Sequence, residues 1–214
     1  ILHVAIHRST HPHARILSID IVDAAEMPGV ACVLTGDDIG DLVLRSPMVT
    51  QDMNMPEHPA LARGTVHAVG APIAAVVAES RALAEDAATA IRVTYDPLPV
   101  VTDAEAALKD GAPLAHEELG TNHCYTMTRE NGDVDKAFAQ ADHICELRMK
   151  SPRVVAMSME ARGILASPDP IRNELTVWLS TQGPHRARAD LANSLGFPEN
   201  RIRVIAPDVG GGFG

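Results

Sequence analysis

The stretch PIAAVVAESRALAEDAATAIRVTY, residues 72–95, predicts a strand, a helix and a second strand in direct succession. Its first part, residues 72–78, is apolar throughout, which indicates a strand buried on both faces. Ser80 is a typical N-cap residue for the helix that follows, and residues 92–95 return to a strand pattern. Because strand, helix and strand alternate, the sequence predicts an α/β layer. One face of the helix carries the apolar residues Leu83, Ala87 and Ile91.

Shorter elements are predicted on the N-terminal side of this unit. Residues 35–38, Thr-Gly-Asp-Asp, are interpreted as a turn that closes a strand. Residues 40–57 show few periodic positions and two prolines, so we expect a long surface loop there. The predicted elements are strands at residues 2–7, 15–20, 30–34 and 65–69 and a short helix at residues 24–27.

A second unit is predicted after a segment rich in turn residues. Gly111, Pro113 and Gly120 lie in a stretch with little apolar content, which is typical of a domain boundary. We therefore expect one domain over residues 1–110 and another over residues 121–214, with an α/β fold that is α+β in looser terms. The second domain is predicted to contain a helix capped by Asp133, strands at residues 143–150, 163–166, 175–180 and 201–206, and a helix between Pro184 and Gly196.

The composition is that of a soluble globular protein, with 46% hydrophobic and 21% charged residues. The net charge of −10 and the aromatic content of 3% argue against a nucleic-acid partner. Such a partner requires positive charge and stacking rings. The longest apolar run, residues 73–78, is far shorter than the roughly 20 residues of a membrane-spanning helix, so no membrane span is expected.

The cysteines and histidines do not predict a metal centre. No C-x-x-C pair is present, so we expect buried, unpaired thiols and a reducing, cytoplasmic location. The histidines at positions 7, 11 and 13 lie on either side of a turn at Pro12, which removes the shared strand face that a metal site would need. The three cysteines are Cys32, Cys124 and Cys145.

The segment IAPDVGGGFG, residues 205–214, leads from a predicted strand into four glycines around Phe213. Glycine has no Cβ, so successive N–H groups in such a loop can converge on an anionic ligand. Ligands in open α/β sheets bind where strands end. Gln182 lies at a similar place, between the strand at residues 175–180 and the helix that begins at Pro184. A flexible tail for the glycines and a cap role for Gln182 are the alternatives.

Two of these segments, DVGGGFG at residues 208–214 and STQGPH at residues 180–185, resemble the molybdenum-binding large subunit of the xanthine dehydrogenase and aldehyde oxidase family. The resemblance implies an N-terminal α/β hammerhead domain followed by the first part of a molybdopterin-binding domain. Further segments that carry it, in the same order along the chain, are residues 8–16, 24–33, 69–79, 93–99 and 159–163.

The resemblance implies roles for individual residues. In the family, a Gly-Gly-x-Phe-Gly loop lies against the molybdopterin cofactor, and a glutamine in a Thr-Gln step hydrogen-bonds an oxo ligand of molybdenum. Gln182, Phe213 and Glu160 are therefore implied to act at the reaction site, and no residue of this chain is implied to ligate the metal directly. Glu160 lies in MEARG, where the family commonly has MEPRG, and a surface Glu–Arg pair is its alternative interpretation. The implied cofactor-binding residues are Gln182, Gly210, Gly211, Gly212, Phe213 and Gly214.

The activity implied by the resemblance is oxidative hydroxylation of an aldehyde or an N-heterocycle, with water as the oxygen source. The implied cofactor is molybdopterin as molybdenum cytosine dinucleotide, with an iron–sulfur subunit and an FAD subunit as partners in a hetero-oligomer. The family's catalytic glutamate lies beyond its first glycine loop, so we expect a fragment of a larger subunit that is inactive alone. The alternatives are a non-catalytic interaction or assembly module and a small-anion binder that uses the glycine loop.

Overall fold

The computed structural model describes residues 1–40, 42–44, 52–152 and 154–213. The chain forms two compact units, Ile1–Tyr125 and Thr126–Gly214. The domain boundary expected between residues 110 and 121 stays a prediction. Within the described residues, no helix is both long enough and apolar enough to cross a membrane.

The first unit contains eight strands and four helices among its described residues. A one-turn 3-10 helix, Glu117–Leu119, follows them. In chain order the elements are β1 (His3–Arg8), β2 (Ala14–Asp20), α1 (Val22–Ala25), β3 (Val30–Thr35), α2 (Gly36–Ile39), β4 (Val43–Leu44), β5 (His58–Pro59), β6 (Thr65–Val66), β7 (Pro72–Ala78), α3 (Arg81–Ala90), β8 (Arg92–Pro97) and α4 (Ala104–Ala107).

Strand β7 is the centre of a three-stranded antiparallel sheet in the order β1-β7-β3. Val76 lies opposite Ala5 on one side and Val33 on the other, and its side chain is fully buried. The prediction of a strand buried on both faces is confirmed, because every residue of β7 is at least partly shielded from solvent. A second antiparallel sheet has the order β6-β2-β8, and β4 pairs with β5.

Helix α3 packs on the first sheet through small side chains. Ala84, Ala87 and Ala88 are buried, which allows the helix backbone to approach the sheet closely. The predicted cap is confirmed, because the Leu83 N–H donates to Ser80 Oγ over 3.3 Å. Helix and sheet together enclose a core of buried residues: Ala24, Ala74, Val76, Ala87, Ala88 and Ile91.

Two local predictions for the first unit were wrong. Residues 36–38 belong to α2 and not to a turn alone, with Thr35 as the N-cap. Thr35 and Asp38 make a reciprocal capping box in which the Thr35 N–H donates to Asp38 Oδ2 over 2.7 Å. Within the predicted loop at residues 40–57, Val43–Leu44 pairs as β4 with β5. Residues 41 and 45–51 of that loop lie outside the described residues.

The second unit contains a three-stranded sheet in the order β11-β10-β9. β9 and β10 are antiparallel, whereas β10 and β11 are parallel and are connected through α6. Val177 on β10 and Ile202 on β11 are its buried core residues. The elements of this unit are α5 (Val134–Ala139), β9 (Ile164–Asp169), β10 (Glu174–Leu179), α6 (Pro184–Leu195) and β11 (Ile202–Ile205), with a 3-10 turn at Glu199–Arg201.

Both predicted helices of this unit and three of its four predicted strands, at residues 163–166, 175–180 and 201–206, are confirmed as elements. Asp133 caps α5 by accepting from the Lys136 N–H over 2.9 Å, and Gly196 ends α6 in a left-handed conformation with φ 60°. The strand expected at residues 143–150 was wrong, because that stretch pairs with no described strand and all its residues are exposed. The expectation of buried thiols was also wrong for Cys32 and Cys145, which are exposed.

Candidate functional site

Three segments of the second unit meet at one end of its sheet. β10 and β11 run in parallel, with Leu175 opposite Ile202 and Trp178 opposite Ile205. Their carboxyl ends therefore lie at the same end of the sheet, and the residues that follow each strand emerge side by side. After β10 come residues 180–182, and after β11 comes the glycine loop, residues 210–213. The third segment, residues 158–160, precedes β9 in the chain.

Glu160 connects the other two segments through its carboxylate. Its Oε1 accepts a hydrogen bond from Ser180 Oγ over 2.7 Å, and its Oε2 accepts one from the Gly210 N–H over 2.5 Å. The Gly210 N–H, and next the Ser180 hydroxyl, hold the pKa of Glu160 below its ordinary value of 4.5. The carboxylate is therefore ionised at neutral pH.

Ser158 makes a second connection to the glycine loop. Its Oγ donates to the Gly211 carbonyl oxygen over 3.0 Å. Gly211 has φ 129°, and a Cβ at this position would lie 3.0 Å from Ser158 Oγ and 2.7 Å from Phe213 Cε2. Both the backbone conformation and the available space therefore require glycine.

Gly212 lies directly against Gln182. A Cβ on Gly212 would overlap Gln182 Oε1 and would lie 2.8 Å from the Cβ and from the Cδ of Gln182. A Cβ on Gly210 would likewise overlap the Cβ of Glu160. The bare backbone of the loop is what allows these side chains to approach it, so the three successive glycines each meet a different neighbour.

Gln182 occupies the turn between β10 and α6. The Gly183 N–H donates to Thr181 Oγ1 over 3.1 Å, and Pro184 then begins the helix. The side chain of Gln182 is exposed at the helix N-terminus, where backbone N–H groups and the helix dipole favour negative charge. Its amide can both donate and accept hydrogen bonds.

Phe213 is held in an unusual conformation. Its φ of 61° lies in the left-handed region, which costs a residue other than glycine about 1–2 kcal/mol. Phe213 is 71% exposed, so burial of its side chain within this unit does not explain the conformation. Gly214 lies outside the described residues, and its implied role stays a prediction.

The structure thus brings Gln182, Glu160 and the glycine loop together at one end of the sheet. The sequence did not predict Ser158 as a partner of that loop or Ser180 as a partner of Glu160. The available signal was their position next to candidate residues, in Ser-x-Glu and in Ser-Thr-Gln. Within the described residues, no group of three or more His, Cys, Asp or Glu side chains is arranged to hold a metal ion. The arrangement places hydrogen-bonding side chains against a loop that has no Cβ at three successive residues.

Both halves of the chain match known protein families. Residues 1–99 match the aldehyde oxidase and xanthine dehydrogenase a/b hammerhead domain, and residues 115–214 match the molybdopterin cofactor-binding domain. The glycine loop and Gln182 lie within the second match.

Individual relatives extend this similarity over the whole chain. The nicotine 6-hydroxylase large subunit of Paenarthrobacter nicotinovorans is 40% identical over 215 aligned residues, which are 100% of this chain and 26% of the relative. The carbon monoxide dehydrogenase large chain of Hydrogenophaga pseudoflava is 37% identical and covers 100% of this chain and 28% of the relative. The crystal structure of quinoline 2-oxidoreductase from Pseudomonas putida 86 superposes with a TM-score of 0.90 at 40% identity, over 100% of this chain and 27% of that one. The chain spans about a quarter of the length of these relatives.

Proposed function

This chain belongs to the xanthine dehydrogenase and aldehyde oxidase family, as a hammerhead domain followed by the start of a molybdopterin-binding domain, and we propose that it forms one wall of the cofactor site of a molybdenum-dependent oxidoreductase. The observation that carries the proposal is the contact between Gly212 and Gln182 in the segment that matches the cofactor-binding domain. We assign residues 1–110 to the hammerhead and residues 121–214 to the cofactor-binding part.

The described residues fit a molybdopterin group. Such a group is anionic and rich in oxygen, so it needs hydrogen-bond donors and close approach of backbone more than it needs side-chain ligands. The glycine loop has no Cβ at three successive positions, so its backbone lies directly against Glu160, Ser158 and Gln182, and the Gln182 amide is held beside the loop. Gln182 and the loop, with Gly214 beyond the described residues, are the groups of this chain that would hold it.

The bound cofactor would supply two-electron oxidation of the substrate, and the residues of this chain would position the reactants. We propose that the reaction is oxidative hydroxylation, in which a C–H bond of an aldehyde or N-heterocycle becomes C–OH. Water supplies the oxygen, and two electrons and two protons are released.

We assign the Gln182 amide to orienting the reactive end of the cofactor. The exposed ring of Phe213 would line the approach of a flat substrate, where it can stack on an aromatic ring. Glu160 would belong to the same pocket. The catalytic base is assigned to a part of the protein other than these 214 residues, so the 214 residues alone are proposed to be inactive.

The partners are proposed from the names of the relatives. Two of these relatives are named as a large subunit and a large chain, which implies smaller companions in their own complexes. We propose that this protein also works in a hetero-oligomer, in which an iron–sulfur subunit and an FAD subunit carry electrons away, and that its cofactor is molybdenum cytosine dinucleotide. The three unpaired cysteines are compatible with a cytoplasmic complex.

The proposal is tested by purifying the full-length natural gene product with its partners and measuring its molybdenum and pterin content. The same preparation is assayed for dye reduction with a panel of aldehydes and N-heterocycles. We expect molybdenum, pterin and a substrate-dependent rate. A folded protein with neither metal nor pterin would reject the proposal and favour a binding or assembly module.

A further inference from the structure

We propose that Glu160 is a positioning residue, which holds the glycine loop against the end of β10 and so sets the place where Gly212 meets Gln182. The inference rests on the proposed function, because the loop matters as a wall of the cofactor site. It assigns to Glu160 a role that acts through the loop rather than on the reacting atoms.

The geometry of the carboxylate supports this role. One oxygen is bound to Ser180, directly after β10, and the other is bound to Gly210 in the loop that follows β11. A single side chain thus links the exits of two parallel strands. Hydrogen bonds to an ionised acceptor are stronger than neutral ones, and the Glu160 carboxylate accepts two of them.

Ser158 reinforces the same loop from two residues earlier. The loop is held at Gly210 through its N–H and at Gly211 through its carbonyl oxygen. Two successive residues are therefore fixed by side chains of residues 158–160. The next residue, Gly212, is the one that lies against Gln182, so a shift at Gly210 is transmitted to that contact.

The electrostatics argue against a general-base role for Glu160. A general base works best when its pKa is near the operating pH. The hydrogen bonds from Gly210 and Ser180 lower the pKa of Glu160, which makes the carboxylate a weaker base. Both oxygens are also occupied within the protein, and protonation would remove an acceptor that the loop uses.

The test compares Glu160→Ala with Glu160→Gln in the full-length subunit, first without cofactor and then in the loaded complex. In cofactor-free protein, hydrogen–deuterium exchange of a peptide containing Gly210 should become about tenfold faster in Glu160→Ala. The Glu160→Gln variant should be intermediate, because its amide oxygen can still accept from Gly210. A matched control is Glu174→Gln, which removes a charge at the opposite end of β10, where Glu174 lies 3.7 Å from Arg201 Nη1.

In the loaded complex, Glu160→Gln should keep more bound molybdenum and a higher kcat than Glu160→Ala. A chemical role for the carboxylate predicts instead that both variants lose turnover equally while metal content and loop protection stay normal, and that result would overturn the proposal. Wild-type loop protection in Glu160→Ala would also overturn it.

A second variant and a cofactor-independent measurement cover two possible failures of this test. If Glu160→Ala fails to fold, Ser180→Ala removes only the hydroxyl donor, and faster exchange at the loop is again the expected result, whereas unchanged exchange contradicts the proposal. If the wild-type protein contains no molybdenum, the proposed function fails, but the exchange measured on cofactor-free protein still decides whether Glu160 holds the loop.

Discussion

Replacing Gly212 with alanine tests how strongly turnover depends on the contact between the glycine loop and Gln182. A Cβ at this position would overlap Gln182 Oε1 and lie 2.8 Å from two of its carbon atoms. Non-bonded carbons rest at about 3.5–4.0 Å, so loop and side chain must separate by roughly 1 Å. A misplacement of about 1 Å can cost up to about 100-fold in rate, so we expect kcat to fall by roughly 10- to 100-fold.

The fold should tolerate the same substitution. The backbone of Gly212 is not in the left-handed region, and Gln182 is exposed, so no buried packing is lost when the loop and this side chain separate. The free energy of unfolding should therefore change by less than about 1 kcal/mol.

The assay measures kcat per bound molybdenum in the full-length complex, together with thermal unfolding. Gly163→Ala is the matched control, because a Cβ there meets nothing within 4 Å and its backbone also lies outside the left-handed region. The control should retain wild-type turnover. Wild-type kcat per molybdenum in Gly212→Ala would show that turnover does not depend on this contact.

Three further substitutions test other parts of the account. Gln182→Ala should lower kcat per bound molybdenum strongly while the unfolding temperature changes little. A fully active variant with normal metal content would contradict the role assigned to Gln182. Phe213→Ala should raise KM roughly fivefold, because stacking contributes about 1 kcal/mol, and an unchanged KM for every accepted substrate would count against it. Burial, and next the neighbouring His116, lower the pKa of His67 below its usual 6.5, so the folded protein binds this proton less readily than the unfolded chain. The stability that neutral His67 contributes should therefore be fully present above about pH 6.5 and be lost as pH falls through the lower folded pKa. In denaturant unfolding measured at about pH 7.5 and about pH 5.5, His67→Gln should lose less free energy of unfolding between the two pH values than wild type does. Equal pH dependence in both proteins would contradict this.

Sequence reasoning predicted the elements whose signals are local. Strand β7 and helix α3 were found because an apolar run and a capping serine lie within the elements themselves. The start of α2 was missed because Thr-Gly-Asp-Asp suits both a turn and a capping box. The strand at residues 143–150 was wrong because an alternating pattern forms a strand only where a pairing partner lies beside it.

The sequence predicted the residues of the candidate site but not the hydrogen bonds and contacts that join them. The sequence placed Gln182 and the glycine loop after strands, and the structure shows that those strands are parallel neighbours. The bonds from Glu160 to Ser180 and to Gly210 span 20 and 50 residues of sequence, so no local pattern predicts them. The close approach of Gly212 to Gln182 likewise depends on the register between β10 and β11.

The most direct test of the central claim is anomalous diffraction at the molybdenum absorption edge from crystals of the full-length complex. We expect an anomalous peak beside the amide of Gln182 and the backbone of the glycine loop. A molybdenum peak remote from both, in a complex that oxidises substrate, would contradict it.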